Sequence, residues 1–264
     1  MQFFPSFSVF LKIGSLEIHY YALCIITGAL IAYELGQYRF KKLGYARNIL
    51  SDYFFALLLL GIIGARIWYV IFMWNELYAA NPMEIFAVWH GGLAIHGGII
   101  AGLITIIYLT KKYKLNTLKI IDMSVPSLII AQSIGRWGNF FNGEAYGKVV
   151  TLSHLKSQHI PNFIIDRMKI DGSYHQPTFL YESILCLIGF IILMILKNNK
   201  SLKITNLTSL YLIWYGLIRL VIEYYRTDSL MLGPIKMAML ISIVFIISGV
   251  VLLIKSKNQK RYNR

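Results

Sequence analysis

The run SDYFFALLLLGIIGARIWYVIFMW, from Ser51 to Trp74, carries only two charged side chains, Asp52 and Arg66. A bilayer core about 30 Å thick is crossed by roughly 20 apolar residues in a helix, so a run of this length reads as a transmembrane span. Working outward, comparable apolar windows lie at His19 to Leu35, Leu93 to Leu109, Ile120 to Ile134, Thr178 to Leu196, Leu207 to Tyr225 and Ile235 to Ile254, which makes seven. The whole chain agrees: of 264 residues, 57% are hydrophobic and 14% charged, where a soluble chain has about 45–50% and about 25%. Seven spans and their connections leave no room for a separate soluble domain. The sequence therefore predicts an all-α fold, a polytopic membrane bundle of seven transmembrane helices, with 1–264 as a single integral-membrane catalytic domain. The two cysteines, Cys24 and Cys186, sit inside apolar windows and read as helix packing, which excludes a disulfide scaffold.

A net charge of +14 admits either a nucleic-acid surface or an anionic lipid surface. The positions of the basic residues decide between them. One set of alternate loops and the tail holds Arg39, Lys41, Lys42 and Arg47; Lys111, Lys112, Lys114 and Lys119; Lys197, Lys200 and Lys203; and Lys255, Lys257, Lys260, Arg261 and Arg264. The facing loops hold none between Asn75 and Ala87, five over the long Gly135 to Gln176 stretch, and then Arg226 and Lys236. By the positive-inside rule the first set is cytoplasmic, the N-terminus extracytoplasmic and the C-terminus cytoplasmic. The charge is thus a lipid-facing girdle and no nucleic-acid partner is expected. The stretch before Gly14 lacks both a basic flank and a small-residue cleavage site, so the first span is expected to be retained. The long facing connection, Lys148 to His175, is polar and predicts a small extracytoplasmic cap.

Ionisable groups within hydrocarbon are costly and mark function. In the sixth window Tyr215, Arg219, Glu223 and Arg226 follow at spacings of four, four and three, one face of a helix. An intrahelical Arg219–Glu223 pair alone is worth about 0.2–0.5 kcal/mol in water and leaves Tyr215 and Arg226 unexplained, whereas a buried anion would serve every donor. After the fourth window comes GRWGNFFNGEAYG, from Gly135 to Gly147, with four glycines in thirteen residues. Each interior glycine costs a helix about 1 kcal/mol against alanine, so non-helical backbone lining a cavity is expected here. There Arg136, Asn139 and Asn142 would offer fixed donors and Glu144 would orient an arginine. A third polar stretch, Trp89 to Gly98 (WHGGLAIHGG), places His96 among glycines. It reads either as a functional histidine or as close helix packing through small residues. His90 and His96 are six apart, which does not suit a metal pair on one helix face, and no acidic cluster accompanies them, so no metal or other cofactor is implied.

Taken together these residues resemble the prolipoprotein diacylglyceryl transferase family. Gly135 to Gly147 matches the signature G-R-x-G-N-F-x-N-x-E-x-x-G. The His96-Gly97-Gly98 triplet, Tyr21 after His19, Pro177-Thr178-Phe179-Leu180-Tyr181-Glu182, and Tyr215-Gly216 followed by Arg219, Glu223 and Arg226 extend the likeness nearly end to end. Gln176 stands where the family pattern has a histidine before that proline, so His175 is assigned no role. The resemblance implies a bacterial plasma-membrane enzyme that moves the diacylglyceryl group of phosphatidylglycerol to the thiol of a lipobox cysteine in a preprolipoprotein signal peptide, releasing glycerol 1-phosphate. It implies phosphatidylglycerol contacts at Arg136, Asn139, Glu144, Gly147, Tyr215, Arg219, Glu223 and Arg226. Arg136 and Arg219 would grip the phosphate, planar guanidinium forks suiting a phosphate better than lysine does. Tyr21 and Asn139 would position headgroup or thiol. His96 would be the general base for a thiol whose pKa is about 8.5 when free, unless the arginine field alone favours the thiolate. Against this stands a transporter of an anionic lipid, which the absence of matching halves disfavours.

Overall fold

The computed structural model describes residues 2–14, 16–88, 91–199, 201–227, 231–232, 234–258 and 261. Trp89, His90, Lys200, Lys260 and Arg264, named above, lie outside the described residues. Helices occupy all seven apolar windows: α1 (Tyr20–Lys42), α2 (Arg47–Phe72), α3 (Ile95–Lys112) and α4 (Thr117–Asn142), then, after two short helices, α5 (Leu152–Ser157) and α6 (Asn162–Arg167), α7 (Thr178–Leu196), α8 (Asn206–Tyr225) and α9 (Met237–Ser256). Among the described residues, α2, α4, α7, α8 and α9 are long and apolar enough to cross a membrane. In α1 the tyrosines and Glu34 dilute the apolar run, as His96, the glycines and the terminal Lys111 and Lys112 do in α3. Large apolar side chains such as Phe55, Leu59 and Ile67 on α2 and Val244, Ile247 and Ile254 on α9 are exposed, a surface suited to lipid.

The chain forms two compact units, Gly36–Ile121 and Met1–Leu35 with Asp122–Arg264. In the smaller unit α2 and α3 approach through small residues. A Cβ on Gly97 would lie 2.2 Å from the Gly64 carbonyl oxygen and 2.4 Å from Trp68 Cβ, so backbone meets backbone where side chains are absent. Close packing is thus the observed role of Gly97. Gly97→Ala is expected to lower stability by about 1–3 kcal/mol through overpacking, read as thermal unfolding in detergent. Gly61→Ala, whose Cβ would meet nothing within 4 Å, should leave it unchanged. Beside this crossing the buried Arg66 donates to the carbonyls of Glu84, Ile85, Ala87, Gly91 and Gly92. Ala94 N–H adds a 3.0 Å bond to the Ala65 carbonyl.

The larger unit begins with an antiparallel sheet, β1 (Gln2–Phe3), β2 (Val9–Ile13) and β3 (Leu16–His19), in which Lys12 and Glu17 are cross-strand partners joined by a 2.6 Å ion pair. Its helices α4, α7, α8 and α9 pack by complementary devices. Ser133 and Ser183 hydroxyls each donate to the other's carbonyl, at 2.8 and 2.9 Å. Gly216 faces the Ser242 carbonyl and Gly249 the Ser209 carbonyl, closing α8 on α9. Buried Asp122 on α4 accepts from Thr208 N–H and Oγ1 at 2.6 and 2.7 Å, satisfying a donor in the first turn of α8. Cys186 is fully buried among apolar side chains, in keeping with a packing role, and both cysteines are free. Residues 148–176 fold as α5, α6 and a three-stranded sheet, β4 (Val149–Val150), β5 (Lys169–Ile170) and β6 (Ser173–His175), in the order β4-β6-β5. Leu155, Ile164, Ile165 and Met168 from this element bury against Phe140 and Phe179.

The expectation of non-helical backbone from Gly135 onward is corrected: α4 continues to Asn142. Glycine's helix cost refers to water, whereas in an apolar setting the helix is what satisfies the backbone. Gly138 also has a packing reason, because a Cβ there would lie 2.6 Å from the Tyr21 ring. The chain turns only at Gly143, whose φ is 67°.

Candidate active site

Extending α4 past Gly135 sets Arg136 and Asn139 on consecutive turns of a rigid helix. From α7 comes Glu182, and from α8 Tyr215, Arg219 and Glu223, with Arg226 capping its end. All belong to the larger unit. Glu182 is the hub: Oε1 lies 2.9 Å from Arg136 Nη2 and Oε2 lies 3.0 Å from Arg219 Nη1. The other fork of Arg219 reaches Glu223 Oε2 at 2.6 Å, and Arg226 Nη1 stands 4.0 Å from the same oxygen. Tyr215 hydroxyl donates to Glu182 at 3.3 Å and accepts from Arg136 at 3.4 Å. Each carboxylate side chain is 2% exposed, whereas Arg136, Arg219 and Arg226 are 23%, 13% and 17% exposed. The acids sit behind the guanidiniums, and the guanidiniums keep the open side.

Three arginines meet two glutamates in this cluster. Buried ions need both pairing and further hydrogen bonds to hold their geometry, and this cluster supplies them from three helices. The ladder continues outward. Arg136 Nη1 donates to Asn139 Oδ1 at 3.3 Å, and Asn139 Nδ2 donates to Glu144 Oε1 at 2.9 Å, with Asn142 adding a 3.4 Å bond. Glu144 was expected to orient an arginine. It does so through Asn139. Tyr21 lies flat over Gly138, beside Asn139 in sequence. Gly147 acts through its backbone: its N–H donates to Gln176 at 2.9 Å, its carbonyl meets His175 Nδ1 at 2.8 Å, and it bridges to Arg226. A Cβ on it would press into Gln176 and Thr178, at 2.9 Å from each.

The residues singled out on the signature and on the α8 stripe therefore come together, and the ion partners expected from a bound anion are supplied by the protein's own carboxylates. His96 belongs to the smaller unit, in the first turn of α3, its ring 6.5 Å from that of Trp68. Sequence reasoning passed over Glu182 as a site residue although its signal was present, a lone acid inside the apolar α7. It also passed over Lys236, whose Nζ donates to the carbonyls of Glu223 and Arg226 at 2.6 and 2.5 Å and fixes the end of α8.

Known proteins resemble this chain over most of its length. A family profile described as prolipoprotein diacylglyceryl transferase matches residues 8–255. The phosphatidylglycerol--prolipoprotein diacylglyceryl transferase of Staphylococcus xylosus is 47% identical over 244 residues, covering 92% of this chain and 87% of the relative. That of Staphylococcus haemolyticus is 48% identical over 92% of this chain and 86% of its own. That of Streptococcus pyogenes serotype M5 is 44% identical over 251 residues, 95% of each chain. Mostly helical, with five apolar helices of membrane-crossing length among its described residues, this is a multi-pass membrane protein, and the chain belongs to the prolipoprotein diacylglyceryl transferase family.

Proposed function

We propose that the protein transfers the diacylglyceryl group of phosphatidylglycerol to the lipobox cysteine of a preprolipoprotein, the first step of lipoprotein maturation. The observation that carries this reading is the cluster of three arginines on two buried glutamates, its guanidiniums more exposed than its acids. A phosphodiester is a monoanion of the geometry that guanidinium forks suit. In the reaction the cysteine sulfur attacks the glyceryl carbon that bears the phosphate. A C–S bond forms, the C–O bond breaks, and its electron pair leaves on the phosphate oxygen of glycerol 1-phosphate. Arg136 and Arg219 stabilise the charge that grows there, preorganised donors being most effective where water is excluded. Tyr21 and Asn139 position headgroup and thiol; Glu144, Gly147, Tyr215, Glu223 and Arg226 hold the binding frame. His96 takes the thiol proton, or the cationic field favours the thiolate without it. No metal or cofactor enters this chemistry.

The same reading places seven spans in a bacterial plasma membrane, working as one catalytic domain with membrane lipid around it. The N-terminus is extracytoplasmic, the basic loops and C-terminus cytoplasmic, and residues 148–175 form an outer cap. Purified protein incubated in detergent with phosphatidylglycerol and a lipobox peptide tests it. Mass spectrometry is expected to find a diacylglyceryl adduct on cysteine, no adduct on the Cys→Ser peptide, and released glycerol phosphate. Folded protein that binds the lipid and leaves the peptide unmodified would sink the reading and favour lipid transport.

A further inference from the structure

One helical turn before Arg136 on α4, Gln132 Nε2 donates to the hydroxyl of Tyr211 at 2.9 Å. Tyr211 in turn stacks on Tyr215, one turn further along α8, with ring centroids 5.7 Å apart and planes within 5°. The pair Gln132 and Tyr211 therefore repeats the pair Arg136 and Tyr215 one layer further into the helix bundle. The layer is not satisfied. Gln132 Oε1 is buried without a partner, and neither the second amide N–H nor the tyrosine O–H has an acceptor among the described residues. Turning the amide over lets Tyr211 donate to Oε1 and frees both N–H groups instead. Either orientation leaves two donors unused, and an unpaired polar group away from water is unfavourable.

We propose that Gln132 and Tyr211 bind the ester carbonyls of the donor lipid, and so select a diacyl over a dialkyl glycerophospholipid. The inference rests on phosphatidylglycerol being the donor. A phosphate held by Arg136 and Arg219 carries its glyceryl esters past the arginines toward the middle of α4. The carbonyls are separated from the phosphate by glyceryl carbons and one ester oxygen, about the length of one helical turn, about 6 Å. So placed, they lose the water they would have at a bilayer surface, and a desolvated acceptor needs a donor. The lipid brings two carbonyls; the layer offers two donors. An ether lipid has the same reacting carbon and the same leaving phosphate but no carbonyl, which isolates the contact from the chemistry.

The test compares initial rates of peptide modification with diacyl- and dialkyl-phosphatidylglycerol of equal chain length, each in detergent with a lipobox peptide. The wild-type protein is expected to favour the diester about tenfold, the worth of one or two net hydrogen bonds. Gln132→Leu should bring the ratio close to one, and Tyr211→Phe, which removes a single hydroxyl, part of the way. Equal wild-type rates, or an undiminished preference in both variants, would overturn the inference while leaving the transfer reaction intact. Wild-type protein that modifies the peptide with neither lipid would overturn the activity and the inference together. Thermal unfolding of each variant accompanies the rates, and Gln132→Met supplies a second apolar replacement if leucine does not fold.

Discussion

Arg219→Ala is expected to abolish measurable transfer, a loss of at least about a hundredfold, the effect of removing one preorganised charge-stabilising donor from a dry site. Arg219 is the residue that touches both carboxylates, Glu182 at 3.0 Å and Glu223 at 2.6 Å. Its removal takes a positive charge from the cluster and leaves each of two buried acids short of an ion partner. Stability falls as well, since breaking a buried ion pair from one side costs about 3–5 kcal/mol. Membrane level and thermal unfolding therefore need measuring beside the rate. Arg219→Lys separates the two effects. It keeps the charge and most of the fold, but an ammonium has no planar fork and does not span both carboxylates while facing a phosphate. Its rate should lie between wild type and alanine, with insertion normal. Near-wild-type transfer by Arg219→Ala would remove the phosphate grip from the mechanism.

The second large effect is expected at Glu182. In Glu182→Gln the side chain keeps its shape, but its amide nitrogen must face one of two guanidiniums, donor against donor. Transfer should fall by roughly a hundredfold, since the bond to one arginine is lost and the bond to the other loses its anionic acceptor. The cluster loses a negative charge, so the anionic lipid is still drawn in. The loss is thus expected in kcat, with KM held or lowered, a split that general unfolding does not produce. Glu182→Asp keeps the charge and shortens the reach, and should recover part of kcat. A rise in KM at unchanged kcat would show that Glu182 serves only lipid capture.

The helices were legible because hydrocarbon leaves few alternatives, and each apolar window from His19 to Ile254 holds one. The Tyr215, Arg219, Glu223, Arg226 stripe was legible for the same local reason, since spacing by three and four fixes a face. Glu182 showed only as a lone acid in α7, and its role did not, because its two partners come from α4 and α8 and no pattern within α7 announces them. Arg66 showed only as a charge within an apolar run, yet it clamps five backbone carbonyls. Carbonyls leave no mark in a sequence. The glycines of the signature misled because a propensity measured in water was applied to a helix that packs against an aromatic ring at Gly138. Where a residue's role depends on what lies across from it, composition supplies the group and withholds the partner.

The bridge from Glu182 to Arg219 also bears on how the chain is built. These residues sit on α7 and α8, consecutive helices joined by a short connection. As they leave the ribosome they can enter the bilayer as a hairpin whose opposite charges are already matched, so neither helix need present a bare ion to lipid. Arg136 is synthesised earlier, on α4, and its counter-ion exists only after the intervening cap segment and α7 have been made. Until then that arginine has to stay near the lipid headgroups or among insertion machinery. Glu182 then supplies that counter-ion, and the cluster is complete only once α8 has brought Arg219 and Glu223 to it.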